Sequence, residues 1–580
     1  GGRINLGAYG NTPNASRSVF GQPKIDSLTV EYKDGFSRPW ITLAVGLEDG
    51  APCSTTVTIF CRTGGVIVAS ETFAGVKTGT EVKFAPSIYL VSGDDFKISA
   101  EVSAPGAEIS SSVKSGTVEG EIPIWAGKGG GERIIHVRKG ADGLGNGRNW
   151  TDAFPDFESA MAAINPSYDA IWVSGDYTIV NSLSQPTLSH NFEIRGGFDG
   201  HENTIEERGS SIKYSTLDFA GKVNGVIINS SALLTIERMR FMRATSRGFQ
   251  KGGVGRVVVS GCAFVGNRGS NNINGRGAYL EGDGDINEGT LGLVENCVFE
   301  GNVQTNGSIV SGQGLTVKNF RQFEIVDCLF ITNGTALAVD TAPITMSGTE
   351  FRANRGTSQD LGIVRILNAR GSRLSHCLWV GNDELYGSAL VTDLGHQEND
   401  ITLEHCTIAL NQTASKTYSA GVTLIKGKMV IKNSIIAGNF GGTASTVGSD
   451  LHAQSTASAS ATYTLLTSHN ALSVSAAAAN LMDHGVGVIY GDPSFGTTVQ
   501  EALSLISGAD DAKRYNAAEL QRVAAFDVHP TSRGGRYDEK TGRWVRCAGN
   551  VSIAVDAGDP ADDWSMEPEC AGVGTSGKRV

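Results

Sequence analysis

The sequence predicts an all-β protein in which a long β-solenoid follows a small β-sandwich. Three observations support this prediction. The 580-residue chain holds 75 glycines but 15 prolines, without a G-X-Y period, which is typical of a turn-rich β protein and not of collagen. Short alternating strands fill residues 24–120, and a six-residue core is repeated along residues 239–439. At this length, one compact core is not expected.

Residues 24–120 are predicted to form the sandwich. Alternating runs such as SLTVEY, WITLAVGL and TTVTIF are separated by Gly, Asp and Pro turns at the spacing of an immunoglobulin-like or fibronectin-like domain. Cys53 and Cys61 bracket one of these strands, about 27 Å apart at ~3.3 Å per residue, so the pattern argues against a disulfide between them. The glycine-rich residues 121–132 are predicted to be a linker.

The solenoid is predicted to span residues 133–580 and to begin with a strand, a helix at about 156–165 and a second strand. Asp156 is placed to cap this helix, and Pro166 to end it. One helical face carries Phe157, Ala160, Met161 and Ile164. We therefore expect the helix to cover the open end of the first coil, which would otherwise expose core and strand edges.

The repeated cores are MRFMRA, CAFVGN, CVFEGN, CLFITN, TEFRAN, CLWVGN, CTIALN and SIIAGN. Their first positions are Met239, Cys262, Cys297, Cys328, Thr349, Cys377, Cys406 and Ser434. Two residues further on stand Phe241, Phe264, Phe299, Phe330, Phe351, Trp379, Ile408 and Ile436. The last positions are Asn267, Asn302, Asn333, Asn354, Asn382, Asn411 and Asn439, with Ala244 in the first copy.

Residues two apart face the same side of a strand, so the cysteine and aromatic columns are both predicted to point inward. Stacking of coils ~4.8 Å apart would place aromatic rings on one another and asparagine amides within hydrogen-bond reach. Asparagine also tolerates the left-handed conformation of a corner. The cysteines are predicted to be buried thiols, neither disulfide-bonded nor metal-bound. His376 and His405 precede two of them, so we expect both to point outward and to stack on each other.

These cores resemble the right-handed parallel β-helix of the pectin-lyase-like superfamily. The chain is more closely similar to large bacterial surface and secreted proteins built on that fold, over residues 133–580 and the first sixteen residues. The segments that carry this resemblance are IHVRKGADGLGNGRNWTDAF, FEIRGGFDG, AVDAGDPADDWSMEPE and INLGAYGNTPNAS. The resemblance implies a right-handed parallel β-helix, and it implies little about activity, because one scaffold hosts many functions.

Enzymes with this fold would be polysaccharide lyases or glycoside hydrolases, which need acidic residues converging on one face. The acidic clusters in this sequence lie in glycine-rich insertions instead, which favours polar turn chemistry and a non-catalytic protein. Asp283, Asp285 and Asn287 have the alternating oxygen spacing of a calcium loop, but the glycine and closing glutamate of an EF-hand are missing. No cofactor is therefore predicted, with a structural calcium ion as the alternative.

Charge and hydropathy restrict the partners. The net charge of −12 and the pI of about 5.4 disfavour nucleic acid and anionic membranes. No apolar run has the ~20 residues of a membrane helix, so no membrane insertion is expected.

Residues 445–580 are predicted to be less regular. TTVQEALSLI and NAAELQRVAAF are predicted to be helices, with Asn516 and Glu519 in capping-box spacing in the second. HPTSRGGRYDEKTGRWVRCAGN is predicted to be a basic hairpin, either a partner contact or a solvated loop. Cys547 and Cys570 are candidates for a disulfide in a secreted protein.

The functional prediction concerns the two ends. In the resembling proteins the GDPADDW-type segment runs directly into an INLGAYG-type element, whereas here that element forms residues 1–18. We expect it to complete the last coil of a preceding unit by strand addition. The residues of this contact would be Ile4, Asn5, Leu6, Gly7, Ala8, Tyr9, Gly10, Lys578, Arg579 and Val580.

The predicted function is thus a non-catalytic structural subunit, or one period of a tandem array, in a bacterial extracellular filament, stalk or surface layer. Its partners would be copies of itself or similar modules, joined head to tail. The alternatives are a polysaccharide-binding or polysaccharide-cleaving β-helix protein, and an adhesin that binds a glycan or another cell-surface ligand.

Overall fold

The computed structural model describes much of the chain. The described residues are 23–32, 39–47, 55–63, 66–76, 81–84, 95–103, 110–117, 134–166, 168–209, 211–269, 274–284, 290–304, 313–356, 362–415, 418–441, 446–447, 450–467, 472–474, 482–507, 514–530, 536–538, 543–545 and 552–554. The chain divides into two compact units, Gly1–Lys128 and Gly129–Val580.

The first unit contains two antiparallel sheets around one core. Its strands are Pro23–Tyr32, Pro39–Leu47, Thr55–Thr63, Val66–Val76, Glu81–Phe84, Asp95–Ser103 and Ser110–Thr117. Strands one, two and five form one sheet, and the other sheet has the order four, three, six, seven. Alternate residues such as Leu43, Ile59 and Ala100 are fully buried between the sheets. The predicted small sandwich is therefore present.

The second unit is a parallel β-helix, in which most coils contribute one strand or part of a strand to each of three parallel ladders. The first ladder contains Thr187–Leu188, Val226–Ser230, Phe249–Gly252, Ala278–Glu281, Leu315–Lys318, Leu337–Asp340, Gly362–Leu367, Ser388–Asp393, the start of Val422–Lys432, the start of Leu451–Thr462, and Leu472–Val474. The coils of this β-helix share one continuous hydrophobic core, which extends from Ile135 to Leu466.

The second ladder follows the first in each coil. It contains Ile134–Arg138, Ala170–Ser174, Phe192–Phe198, Leu234–Glu237, Val257–Ser260, Leu291–Glu295, Gln322–Val326, Ile344–Ser347, Ser372–Ser375, Asp400–Glu404, the ends of Val422–Lys432 and Leu451–Thr462, and Met482–His484.

The third ladder carries the repeated cores. It contains Asp176–Thr178, Ser215–Asp218, Met239–Met242, Ala263–Val265, Val298–Glu300, Leu329–Ile331, Glu350–Arg352, Leu378–Val380, Thr407–Ala409, Ile435–Ala437, Leu465–Leu466 and Ile489–Tyr490. A short fourth set of strands follows some of the cores. These strands are Arg268–Gly269, Val303–Gln304, Asp383–Glu384, Gln412–Thr413, Phe440–Gly441 and Thr446–Val447.

The predicted cap helix is Phe157–Ala163, and it closes the first end of the β-helix. Asp156 accepts a hydrogen bond from the backbone N–H of Ser159, as expected of an N-cap. Phe157, Ala160 and Met161 are buried in the continuous core. The helix therefore covers the apolar interior of the first coil.

The region after residue 445 is more regular than the sequence predicts. The Ala/Ser-rich run forms the long strand Leu451–Thr462, and coils continue to Tyr490. Alanine lines the core in this strand, so the inward pattern is apolar but has no bulky residues to mark it.

Beyond the last coil, the described helical segments are Val499–Ser504, Ala517–Glu519 and Leu520–Ala524. A short 3-10 helix, Glu206–Arg208, lies between strands of the early coils. The capping box is formed by Thr498 and Glu501, whereas Asn516 accepts from Ala518. The remaining short strands are Ile506–Ser507, Arg514–Tyr515, Arg536–Asp538 and Arg543–Val545, the last two pairing as the predicted hairpin. None of the described helices is long and apolar enough to cross a membrane.

Two corners of most coils contain a residue in the left-handed conformation. Between the second and third ladders the positive-φ residues are Arg238, Gly261, Asn296, Asp327, Gly348, His376, His405, Asn433 and Tyr463. After the third ladder they are Arg243, Gly266, Gly301, Thr332, Ala353, Gly381, Leu410 and Gly438. The prediction that the repeated asparagine itself takes this conformation is therefore wrong, because the residue before it does.

We expect the corner conformation to decide the effect of substitutions at Asn296, whose side chain is exposed and whose φ is +51°. Asn296→Val should lower the free energy of unfolding by about 1–2 kcal/mol, because a β-branched residue is strained at positive φ. Asn296→Gly should leave it unchanged or raise it. Denaturant unfolding of the two variants checks this, and equal losses would contradict it.

Candidate functional site

The candidate site is the column of buried asparagines at the corner after the third ladder. All seven are at most 1% exposed. The amide Nδ2 of Asn302 donates to Oδ1 of Asn333 (2.9 Å) and to the backbone carbonyl of Phe264 (2.9 Å), while the backbone N–H of Asn302 donates to the same Oδ1 (3.1 Å). Each amide thus joins three successive coils.

The pattern of hydrogen bonds is the same at every rung. The Nδ2–Oδ1 distances are 2.9–3.0 Å from Asn267 through Asn439. At one end, Oδ1 of Asn267 accepts from the backbone N–H of Ala244. At the other end, Asn439 donates to Oδ1 of Asp450 (3.0 Å), whose Oδ2 accepts from the backbone N–H of Thr467. Burial raises the pKa of Asp450 to about 6.

The aromatic column lies beside the asparagines inside the helix. Phe241, Phe264, Phe299, Phe330, Phe351 and Trp379 stack with ring centroids 4.5–5.3 Å apart and interplanar angles of 5–16°. The strands pair in exact register, for example Phe264 with Phe299, so the ring spacing follows the strand spacing. The inward aromatic stack predicted from the sequence is therefore present.

The cysteine column is buried, but it does more than fill space. The backbone N–H of Cys262 donates to Sγ of Cys297, and the thiol of Cys297 donates to the carbonyl of Glu295. Thr349 and Ser434 occupy the same column and accept from the backbone N–H groups of Cys328 and Cys406. The column is thus a hydrogen-bonding ladder of thiols and hydroxyls. The shared small-polar chemistry of Cys, Thr and Ser was the sequence signal for it.

The other predicted residues have mixed outcomes. His376 and His405 stack with centroids 4.8 Å apart, as predicted. Asp283 accepts from the backbone N–H of Thr290, while Asp285 and Asn287 lie outside the described residues. The predicted end contacts at residues 4–10 and 578–580, and Cys53, Cys547 and Cys570, also lie outside them. Across the described part of the chain, no cluster of three or more His, Cys, Asp or Glu side chains could hold a metal ion.

Lys251 is a buried cation beside the acidic insertion that suggested calcium. It is fully buried and donates to the carbonyl oxygens of Gly253 and Glu281, the latter at 2.9 Å. Burial lowers its pKa to about 7, and the charges of Asp283 and Glu281 partly oppose this shift. The Nζ of Lys251 therefore already lies beside the carbonyl oxygen of Glu281, where this insertion begins. Lys251 stands between Gln250 and Gly252 in a short strand, and this sequence context gave no sign of the contact.

An ion cluster on the fourth set of strands was missed by the sequence analysis. Asp383 is completely buried and accepts from Nε of Arg514 at 2.9 and 3.0 Å, with Arg355 at 3.4 Å. Burial raises the pKa of Asp383 to about 6. Arg514 is 131 residues away in sequence, so no local pattern could reveal this pair.

Glu384 is the neighbour of Asp383 and is equally buried. Oε1 accepts from the backbone N–H of Leu385, whereas Oε2 has no hydrogen-bond partner among the described residues. Burial raises the pKa of Glu384 to about 8, more than the positive charge of Arg514 lowers it. Gly356 leaves the room for this side chain, because a Cβ there would lie 1.9 Å from Oε2.

A second ion cluster lies on the second ladder, on the paired strands Phe192–Phe198 and Leu234–Glu237. Arg195 bridges Glu193 and Glu237, and Arg208 donates to Glu237 at 2.8 Å. Glu193 is fully buried, and burial raises its pKa to about 7. Beside it, Trp172 stacks on Phe198 at 4.6 Å. These contacts hold the first coils together on their outer side.

Comparison of the sequence with known protein families and with curated proteins finds no match. The function must therefore be inferred from the arrangement itself. The strongest arrangement is a set of three buried columns that repeat the same contacts from coil to coil. Such columns hold coils in register, and their groups bond to one another.

We expect the asparagine ladder to be the most sensitive column. Asn354→Leu removes the acceptor of Asn333 and the donor to the carbonyl of Phe330. The free energy of unfolding should fall by at least about 3 kcal/mol, because buried groups are left unpaired. Denaturant unfolding measures this. Asn203→Leu, at an exposed position, is the control and should change stability by less than about 0.5 kcal/mol. Similar effects of both variants would contradict the ladder's role.

We expect the buried carboxyl group of Glu384 to make the free energy of unfolding depend on pH. Its pKa of about 8 in the folded chain lies above the ordinary glutamate pKa of 4.5, so the folded state binds the proton more tightly. This contribution to stability is lost as pH rises from about 4.5 through 8. Glu384→Gln should therefore be more stable than the parent by about 1–3 kcal/mol at pH 9, with a smaller difference at pH 5.

Denaturant midpoints across this pH range measure that difference. The control is Glu398→Gln, whose side chain is 71% exposed and paired with Lys428. Equal slopes for the parent and Glu384→Gln would show that the carboxyl is not titrating in the folded chain.

Proposed function

We propose that this chain is a non-catalytic structural subunit, or one period of a tandem array, in an extracellular bacterial filament, stalk or surface layer. The observation that carries the proposal is the unbroken asparagine ladder, which links seven coils and ends on Asp450. A column of this kind adds rigidity and register along the helix axis. It offers nothing to a substrate, because its polar atoms are paired and buried.

The carboxyl groups support the same proposal. A glycoside hydrolase needs two carboxyls about 5–9.5 Å apart that face a substrate. Asp383 and Glu193 have raised pKa values, but each is buried and contacts arginine. Their geometry favours holding parts of the chain together. The polysaccharide-cleaving alternative has no comparable support among the described residues.

Head-to-tail joining is the second part of the proposal. The cap helix covers the first end of the β-helix. At the other end, the final strands Leu472–Val474, Met482–His484 and Ile489–Tyr490 each pair on one side, with no further strand beyond them in the described residues. An open strand edge favours addition of another strand. Residues 4–10 of a neighbouring unit are the proposed occupant, because their pattern resembles a closing coil.

The finer family assignments are also proposals. The stacked aromatic and asparagine columns support a pectin-lyase-like helix. In the sandwich, the fourth strand pairs with the third strand, in the sheet that also contains strands six and seven. In the constant-type immunoglobulin order, the fourth strand would instead lie in the sheet of strands one, two and five. This order favours the fibronectin-like alternative.

Deletion of residues 1–11 tests the proposed head-to-tail contact between neighbouring units. The parent chain should form end-to-end assemblies visible by electron microscopy, and the deletion should abolish them while the far-ultraviolet circular dichroism stays that of a β-helix. Replacing Ile4 and Leu6 by lysine should have the same effect, because charges oppose burial at a strand edge.

Filaments that form normally without residues 1–11 would contradict the joining. Incubation with acidic and neutral polysaccharides provides the other decisive result. Release of unsaturated or reducing ends by the purified chain would replace the structural proposal with an enzymatic one.

A further inference from the structure

The segment after the last coil folds back along the outside of the β-helix. We name residues 495–507 and 514–530 the strap. It leaves the helix at Gly491, forms the helix Val499–Ser504, and reaches Arg514 and the helix Leu520–Ala524. Residues 527–530 then return beside residues 495–497, with bonds from the backbone N–H of Thr497 to Asp527 and of Gly496 to His529.

The strap covers apolar outer positions of four successive coils. Its own buried residues are Phe495, Ala502, Leu505, Tyr515, Val523, Phe526 and Val528. They share one core with Ala353, Val380, Ala409, Leu410 and Phe440 of the coils. A Cβ on Gly381 would lie 2.5 Å from Val523, and one on Gly438 would lie 3.4 Å from Val499. The strap therefore crosses the coils instead of following one of them.

Polar contacts hold the far part of the strap. Arg514 binds the buried Asp383 through Nε and also donates to the carbonyl of Gly356, one coil earlier. Arg352 donates to the carbonyl oxygens of Ala524 (3.2 Å) and Phe526 (3.1 Å). Tyr515 donates its hydroxyl to the carbonyl of Leu410. The strap is thus hydrogen-bonded to the three coils whose third-ladder strands begin at Glu350, Leu378 and Thr407.

The contacts of the strap cross several coils, and this affects how the last coil of the β-helix can separate from the others. Ladder hydrogen bonds point from coil to coil, so a terminal coil can separate by breaking its own bonds while the next coil stays intact. The strap is covalently continuous with the last coil and is bonded about four coils away. Opening of the coils between residues 435 and 490 therefore requires release of Arg514 and Arg352 as well.

We propose that the strap is a brace that joins the coils from Glu350 to Tyr490 into one cooperative unit and prevents the β-helix from opening at its last coil. This goes beyond the proposed function, because the brace acts within one chain and holds whether or not chains assemble. The earlier coils, from Met239 to Ile331, have no contact of this kind with the strap in the described residues.

Amide hydrogen exchange with mass spectrometry tests the brace on the full chain. Arg514→Met removes the strap's buried cation and should speed exchange in residues 422–490 by at least about tenfold, because one partner of a buried ion pair is lost. Peptides from residues 257–331 should change by less than about twofold. Arg522→Met is the control, since that arginine is on the same strap but 68% exposed.

A second pair of variants avoids the buried charge. Gly381→Ala and Gly266→Ala occupy the same corner position in two coils, with φ of +63° and +61°. A Cβ at Gly381 would clash with Val523, whereas nothing lies within 4 Å at Gly266. Both should be strained at their corner, but only Gly381→Ala should also speed exchange in residues 435–490.

These two variant pairs can overturn the proposal. Unchanged exchange of residues 422–490 in both Arg514→Met and Gly381→Ala would show that the strap is a passive cover. Uniformly faster exchange throughout the β-helix would show that the two sites affect global stability and not one unit. If Arg514→Met does not fold, Arg514→Met/Asp383→Asn removes the unpaired charge, and the same expectations apply.

Discussion

The structure depends on how the backbone N–H and carbonyl groups find hydrogen-bond partners at the corner where each coil turns after the third ladder. In a strand, neighbouring coils pair the backbone N–H and carbonyl groups, but at a corner that pairing is interrupted in a fully buried position. Asparagine resolves this, because its Oδ1 accepts from a backbone N–H and its Nδ2 donates to a backbone carbonyl. The residue before it supplies the left-handed turn. Once the corners align, the rings and thiols must align as well.

The same requirement explains where charge is tolerated inside the β-helix. The repeated columns use neutral groups, and Asp450 appears only where the asparagine column ends. Two buried carboxyls elsewhere are held by arginines: Asp383 by Arg514 from a distant segment, and Glu193 by Arg195 of the same strand, which also binds Glu237 of the next coil. A buried charge costs free energy unless it is paired, so Arg514 fixes its segment to the coil of Asp383, and Arg195 joins the strands of Glu193 and Glu237.

The columns and the cap helix could be predicted from the sequence because they depend on spacing. Positions two residues apart face the same way, and Asp156 followed by one apolar helical face is a local signal. Other features have no local signal. Nothing in the sequence around Arg514 marks it as a buried residue. Its structural role depends on Asp383, which only folding brings into contact with it. The strand Leu451–Thr462 was missed because alanine and serine give little contrast between buried and exposed positions. The hydrogen-bonding role of the cysteines was missed because buried thiols were treated as apolar.

The strap also restricts how a protein of this design can change in length over evolution. In the coils from Met239 to Ile331, the strands that the structure describes pair only with strands of the coils before and after them, so duplication of a whole coil in the gene would keep every type of ladder contact. The strap instead spans a fixed number of coils between Arg352 and Gly438, and an added coil there would move Asp383 away from Arg514. Gain or loss of coils should therefore be confined to the part of the gene before residue 350, while the later part keeps a constant length.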